Sequence, residues 1–154
     1  MGDMAGGRTI VLLMSGGVDS TVAALLLRRE GWTVWGLTLR IPGRDQPVET
    51  GESAARIAEA LDIPHRIVEA GDSFRREVVD PFLRAYREGR TPNPCADCNR
   101  SIKFGLLMDA AAEWVGDARV LVATGHYARI LRTPSGARLA RAVDEARDQS
   151  YFLC

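Results

Sequence analysis

No stretch of this sequence approaches the uninterrupted apolar length that crosses a bilayer, and its opening MGDMAGGR lacks the apolar core of a secretory signal. That pattern predicts no membrane partner and a cytoplasmic location. Cysteine is scarce: three residues, an odd number, do not make a disulfide framework. Net charge is absent as well, with twenty basic against twenty acidic side chains, so affinity for nucleic acid must come from local clusters. Lysine is nearly missing, Lys103 being the only one. Residues 74–103 hold seven basic against four acidic groups, and residues 128–148 hold Arg129, Arg132, Arg138, Arg141 and Arg147 against Asp144, Glu145 and Asp148. Excesses of this size fit a solvated arginine-rich surface as well as a phosphate-binding patch.

What is present describes one globular domain over residues 1–154, 46% hydrophobic and long enough to bury a core. TIVLLM (9–14) is a continuous apolar run too short for a helix, which suits a central strand buried on both faces. After a turn, residues 18–29 form a helix in which Ala23, Ala24, Leu25, Leu26 and Leu27 leave little polar face, so it is expected to be mostly covered. WTVWGLTLR (32–40) is a second strand. A helix from about Thr50 places Ala54, Ile57, Ala58 and Leu61 on one face and stops before Pro64. HRIVEA is a short strand, and Asp72 or Ser73 caps a helix to about Tyr86 that Pro81 breaks or kinks. Leu107, Ala110, Ala111 and Trp114 mark a further helix, RVLVATG a strand, and YARIL with ARLARAV a hairpin around TPSG. Alternation of strand and helix predicts an α/β fold with a right-handed, doubly wound parallel sheet. Ligands then sit beyond the strands' carboxyl ends, at loops 15–20, 39–44 and 124–127.

The first of these loops, MSGGVDS (14–20), lacks the Gly-Lys-Ser/Thr of the common nucleotide-binding loop and is not a dinucleotide fingerprint. Its chemistry is nevertheless that of an anion site. Gly16 and Gly17 let the backbone approach closely, the amides opening the helix form a positive cup, and Ser15 and Ser20 add hydroxyls. Asp19 would repel phosphate unless a cation such as magnesium lies between them, which argues for a metal-bound pyrophosphate. An ordinary turn is the competing reading.

A second loop, TPNPCADCNR (91–100), sets two prolines before Cys95 and Cys98. Pro92 and Pro94 stiffen it. Cys98 is expected near a helix start with Arg100 and Lys103 close by, both of which favour the nucleophilic thiolate. Zinc would need more ligands than Cys154, His65 and His126 supply at any recognisable spacing. A redox pair and an iron–sulfur cluster held by Cys95, Cys98 and a third thiol are the alternatives.

SGGVDS after a buried strand resembles the pyrophosphate loop of ATP pyrophosphatases, which split ATP into AMP and pyrophosphate while adenylating an acceptor. Together with GRTPNPCADCNRSIKFG, ATGHYARI and RDQSYFL, the chain resembles the N-terminal catalytic domain of bacterial tRNA-specific 2-thiouridylases. The resemblance implies a Rossmann-like fold, ATP with Mg2+, adenylation of C2 of the wobble uridine, and sulfur delivered from a cysteine persulfide. It places ATP on Leu13, Met14, Ser15, Gly16, Gly17, Val18, Asp19 and Ser20, with Leu39 and Gly125 against the adenosine. Catalysis falls on Cys98, with Cys95 and Asp19 beside it; the target base meets Asn93, Pro94 and Cys95; tRNA meets Arg147, Asp148 and Gln149. Many members carry Asp at the position of Cys95, where this chain has a second thiol. The family's central region and C-terminal β-barrel, which carry its second cysteine, lie outside this sequence. A persulfide donor protein and a chain supplying those parts are therefore the implied partners. Amide ligation on the same scaffold and a non-catalytic nucleotide- or cluster-binding module are the other functional readings.

Overall fold

The computed structural model describes residues 8–41 and 49–153. Arg44 and Cys154 lie outside the described residues. Along the chain run β1 (Thr9–Leu13), α1 (Val18–Arg29), β2 (Thr33–Arg40), α2 (Glu49–Ala60), β3 (His65–Glu69), α3 (Gly71–Phe74), α4 (Asp80–Arg87), α5 (Pro94–Cys98), α6 (Leu107–Val115), β4 (Leu121–Thr124), β5 (Arg129–Thr133) and β6 (Gly136–Ala140). Wider π-helical turns occupy Arg75–Val79 and Asn99–Leu106, and 3-10 turns Glu145–Arg147 and Ser150–Phe152. Two compact units result: the chain through Gly71 with Leu106–Gly125, and Asp72–Gly105 with the chain from His126 onward.

In the first unit β1, β2, β3 and β4 form a parallel sheet in the order β3-β2-β1-β4. The unbroken apolar run of β1 is explained by its place at the centre, where successive side chains enter different cores. Ile10, Leu12 and Met14 pack with Ala24 of α1 and with Ala54 and Ala58 of α2. Val11 and Leu13 pack with Leu37 and with Leu107 and Ala111 of α6, beside a Trp35–Trp114 edge contact at 4.8 Å. Helices therefore cover both faces, as the alternation predicts, and strand order reverses at β1, opening the switch point between the carboxyl ends of β1 and β4.

One expectation for this unit needs correcting. α1 is not mostly covered, since Val18 is 77% and Leu26 51% exposed and Val22 and Leu25 are exposed too. Small Ala24 allows a close approach to the sheet along a narrow stripe, and no described residue closes over the rest. An apolar composition permits burial; only a neighbour enforces it.

In the second unit, α3 begins at Gly71, so Asp72 and Ser73 sit in its first turn rather than capping it. Pro81 falls in the first turn of α4, directly after the π turn Arg75–Val79. Proline has no N–H to give the carbonyl four residues back, and a widened turn accommodates that loss without ending the helical path. β5 and β6 pair antiparallel from Arg129 opposite Ala140 to Thr133 opposite Gly136, the hairpin expected around TPSG.

Candidate functional site

The phosphate loop grows directly from β1. Met14 donates its N–H to the Leu37 carbonyl (2.8 Å), and its own carbonyl accepts from Thr38 Oγ1 (2.8 Å). Thr38 is 1% exposed and its hydroxyl has one proton, already committed to Met14. His65 Nε2, 2.8 Å from the same oxygen, must therefore be the donor, which assigns the tautomer. Burial holds the His65 pKa below its ordinary value. Sequence reading missed this buttress, because neither residue belongs to a motif; the polar Thr38 inside an apolar strand was the available signal.

Beyond Met14 the chain turns through Gly16 at φ +77°, a conformation that needs glycine, and the Gly16 carbonyl accepts from Ser53 Oγ (3.2 Å). Gly17 occupies the position before α1, and no side chain caps that helix. Its carbonyl accepts from Thr21 N–H (3.2 Å), Thr21 Oγ1 (2.9 Å) and Ser20 Oγ (3.0 Å), while Ser15 Oγ lies 3.4 Å from Ser20 Oγ. The result is a twelve-residue helix whose start has no capping side chain, with Ser15 and Asp19 exposed beside it. Gly125 closes the other side. A Cβ there would lie 3.0 Å from both Asp19 C and Ser20 N, so the end of β4 crosses the loop at backbone contact. Met14 is buried in the core on the α1 side, whereas Leu13 and Leu39 are half-buried against the α6 side. These donors, and a carboxylate within the same turn, fit a pyrophosphate with a divalent cation.

The thiol segment differs from expectation. It is helical from Pro94, whose fixed φ and missing N–H suit the first helical position, and Asn93 Oδ1 caps it by accepting from Ala96 N–H (3.3 Å). The helix thus starts earlier than expected: Cys95 is in its first turn and Cys98 is its last residue, away from the positive end. Cys95 is exposed and Cys98 half-buried. Of the two cations nearest in sequence, Arg100 pairs with Asp97 (3.0 Å), and Lys103 Nζ lies 3.5 Å from His126 Nε2. An ammonium only donates, so Nε2 accepts, and burial followed by the Lys103 charge lowers the His126 pKa. Asn99, 4% exposed, donates through Nδ2 to the Phe152 carbonyl and anchors the π turn next to Cys98. Among the described residues no group of three or more Cys, His, Asp or Glu is placed to hold a metal ion, and Cys154, the third thiol, lies outside them.

Arg147, Asp148 and Gln149 are engaged within their own unit. Arg147 lies near Asp144 (3.7 Å) and beside the Tyr127 ring. Asp148 accepts from Ala142 N–H (2.7 Å) and Ser150 Oγ (2.7 Å), bonds that hold its carboxyl below the usual range. Gln149 exchanges two bonds of 2.9 Å with the Tyr127 backbone, giving its N–H to the carbonyl and accepting the Tyr127 N–H on Oε1.

Residues 8–154 match the family model for the tRNA methyl transferase HUP domain. The chain is similar to the tRNA-specific 2-thiouridylase of Syntrophomonas wolfei, 51% identical over 146 residues that cover 94% of this chain and 41% of that one. It is similar also to that of Rhodospirillum rubrum, 45% identical over 158 residues covering 96% and 41%. The chain thus spans about two fifths of the length of these curated relatives. Among solved structures, the U34-tRNA thiolase of Methanococcus maripaludis with its [4Fe-4S] cluster matches 80% of this chain and 40% of its own at TM-score 0.56 and 19% identity. NMN synthetase from Francisella tularensis matches 76% and 44% at TM-score 0.50 and 20% identity. At such identities the likeness is one of fold.

Proposed function

The chain belongs to the tRNA methyl transferase HUP-domain family, and from that premise we propose that it is the ATP-binding, uridine-activating part of a tRNA 2-thiouridylase. One observation carries the reading: the uncapped start of α1, pressed by Gly125, in a chain 51% identical to a tRNA-specific 2-thiouridylase.

In this reading the first-turn amides of α1 and the hydroxyls of Ser15 and Ser20 take the pyrophosphate portion of ATP. Asp19 is the side chain that would hold Mg2+, which screens phosphate charge when bound. Leu13, Met14, Val18, Leu39 and Gly125 shape the nucleotide's surroundings, Gly125 by leaving the loop room to lie against β4. The uridine C2 oxygen attacks the α-phosphorus and pyrophosphate leaves; the terminal sulfur of a cysteine persulfide then adds at C2 and AMP departs with the original oxygen. The Cys98 thiolate attacks the donor cysteine's own sulfur, the S–S bond breaks with its electron pair left on the sulfur bound to C2, and Cys98 and the donor cysteine end as a disulfide. Asn93, Pro94 and exposed Cys95 face the target base, and Cys98 is the catalytic thiol. Sulfur comes from a persulfide donor protein, and the remaining three fifths of the relatives' length corresponds to parts that further hold the tRNA.

The test supplies the chain with MgATP, tRNA and a persulfide donor. Pyrophosphate release dependent on tRNA is expected, with sulfur insertion lost in Cys98→Ser. Undiminished insertion by that variant would remove the role of Cys98, and ATP binding with no tRNA-dependent release would remove the reading itself.

A further inference from the structure

The charge of the β5–β6 hairpin is not used by the chemistry above. Residues 129–141 carry Arg129, Arg132, Arg138 and Arg141 and no acidic side chain, so the rest of the chain holds sixteen basic against twenty acidic groups. Zero net charge therefore conceals a local excess of four on thirteen residues. All four arginines are exposed. Arg141 borders an open depression of about 750 Å3 with Glu145 and Asp148, which offset its charge. Among the described residues, Arg129, Arg132 and Arg138 have no carboxylate within ion-pair distance.

Register distributes the charge over both faces. Arg129 opposes Ala140 and Leu131 opposes Arg138, which puts Arg129 and Arg138 on one face as a diagonal pair about 7–8 Å apart. Arg132 opposes Ala137 on the other face, where Ile130 opposes Leu139. Ile130 is 74% exposed, and Leu131 and Leu139 are exposed too. A two-stranded ribbon exposed on both faces is marginal by itself. Its order must come from its base, and the base is clasped by two adjacent residues. Gln149 binds Tyr127 just before β5, and Asp148 binds Ala142 just after β6. Arg129 Nε adds a bond to the Arg141 carbonyl across the two stems (2.8 Å).

We propose that the hairpin is an RNA-binding arm, in which Arg129, Arg132 and Arg138 grip the phosphate backbone of tRNA and Asp148 and Gln149 are positioning residues that fix its base. The inference rests on tRNA being the macromolecular substrate, and it adds a surface that holds it. Guanidinium forks match phosphate oxygens in pairs, and such contacts position an RNA without reading its sequence. Arginines on both faces suit a folded RNA, whose strands approach from more than one side. A bilayer or a flat acidic protein surface would meet only one face.

The experiment measures tRNA binding to the chain against salt, with MgATP binding to the same preparations as a control in the first unit. The variant Arg129→Gln/Arg132→Gln/Arg138→Gln is expected to bind tRNA at least tenfold more weakly, with the slope of log K against log salt reduced by about two to three and ATP affinity unchanged. The corresponding lysine variant should keep the slope. Asp148→Ala removes a negative charge, yet it should weaken binding, and its effect should vanish in the triple-glutamine background; full additivity there would overturn the clasp. Unaltered tRNA affinity in the triple variant, with tRNA-dependent pyrophosphate release intact, overturns the arm and leaves the functional reading standing. Absence of tRNA binding by the wild-type chain, or binding of phosphatidylserine vesicles in place of tRNA, overturns the arm as an RNA element. Absence of tRNA-dependent pyrophosphate release by the wild-type chain, with the slope still falling by about two to three in the triple-glutamine variant, counts against the reading and supports the arm.

Discussion

At Gly125 the absence of a side chain is the requirement, since its space is filled by backbone atoms of Asp19 and Ser20. Gly125→Ala forces the loop away from β4 at a cost of about 1–3 kcal/mol. We expect ATP affinity to fall about tenfold or more, since each 1.4 kcal/mol is a factor of ten; calorimetric titration with ATP checks this, and an unchanged affinity would show that the loop moves freely. Thr38 acts on the same loop from the opposite side. Thr38→Val leaves the Met14 carbonyl and the His65 N–H unpaired in a buried place and should cost about 1–3 kcal/mol in urea denaturation. Thr38→Ser retains the hydroxyl and should cost clearly less. Equal losses in the two variants would mean that the methyl group, not the hydrogen bonds, matters.

At the scale of elements, α5 and α1 show how local chemistry and packing divide the work. α5 runs without a break into the π turn Asn99–Leu106, so its start is its free end, and Asn93 with Pro94 fix that start. Asn93→Ala removes about 1 kcal/mol of capping, a loss local to the first turn. Hydrogen exchange at Cys95 to Cys98 should quicken while the urea midpoint barely moves; unchanged exchange would assign the start to Pro94 alone. On α1 the contrast lies between its faces. Ala24→Leu, at a fully buried position against the sheet, should destabilise by about 1–3 kcal/mol through overpacking. Val22→Gln, on the exposed side, should stay within about 0.5 kcal/mol.

For the whole molecule, acidity tests how its titrating groups are set. The chain has two histidines, and burial lowers the pKa of both His65 and His126. Unfolded histidine titrates near about 6.5, so between that value and the lower folded values the unfolded chain binds more protons. Their contribution is therefore complete above about pH 6.5 and is lost as pH falls through the folded values. Asp148, also lowered, acts in the same direction at more acid pH: its contribution is present above the ordinary carboxylate value, near about 3.9, and lost below it. Urea midpoints should decline on mild acidification and decline again below about pH 4. His65→Gln/His126→Gln should flatten the first step only; a first step that survives in that variant would assign it to other groups.

Several features follow from local chemistry and were legible in the sequence: the buried β1, the alternation that builds the doubly wound sheet, the glycine-rich turn opening α1, the hairpin and the two thiols. Periodicity, proline and glycine dictate these over a few residues, whatever the rest of the chain does. The tertiary structure alone decided that α1 leaves an apolar face uncovered, that Gly125 must lack a side chain because it meets Asp19, and that His65 and Thr38 brace Met14 from two other strands. It decided also that Asp148 and Gln149 spend their hydrogen bonds on the stems of the hairpin. Each of these joins groups far apart along the chain, and a contact of that kind leaves no period or motif in sequence; it exists only once the sheet register and the return of β6 bring the partners together.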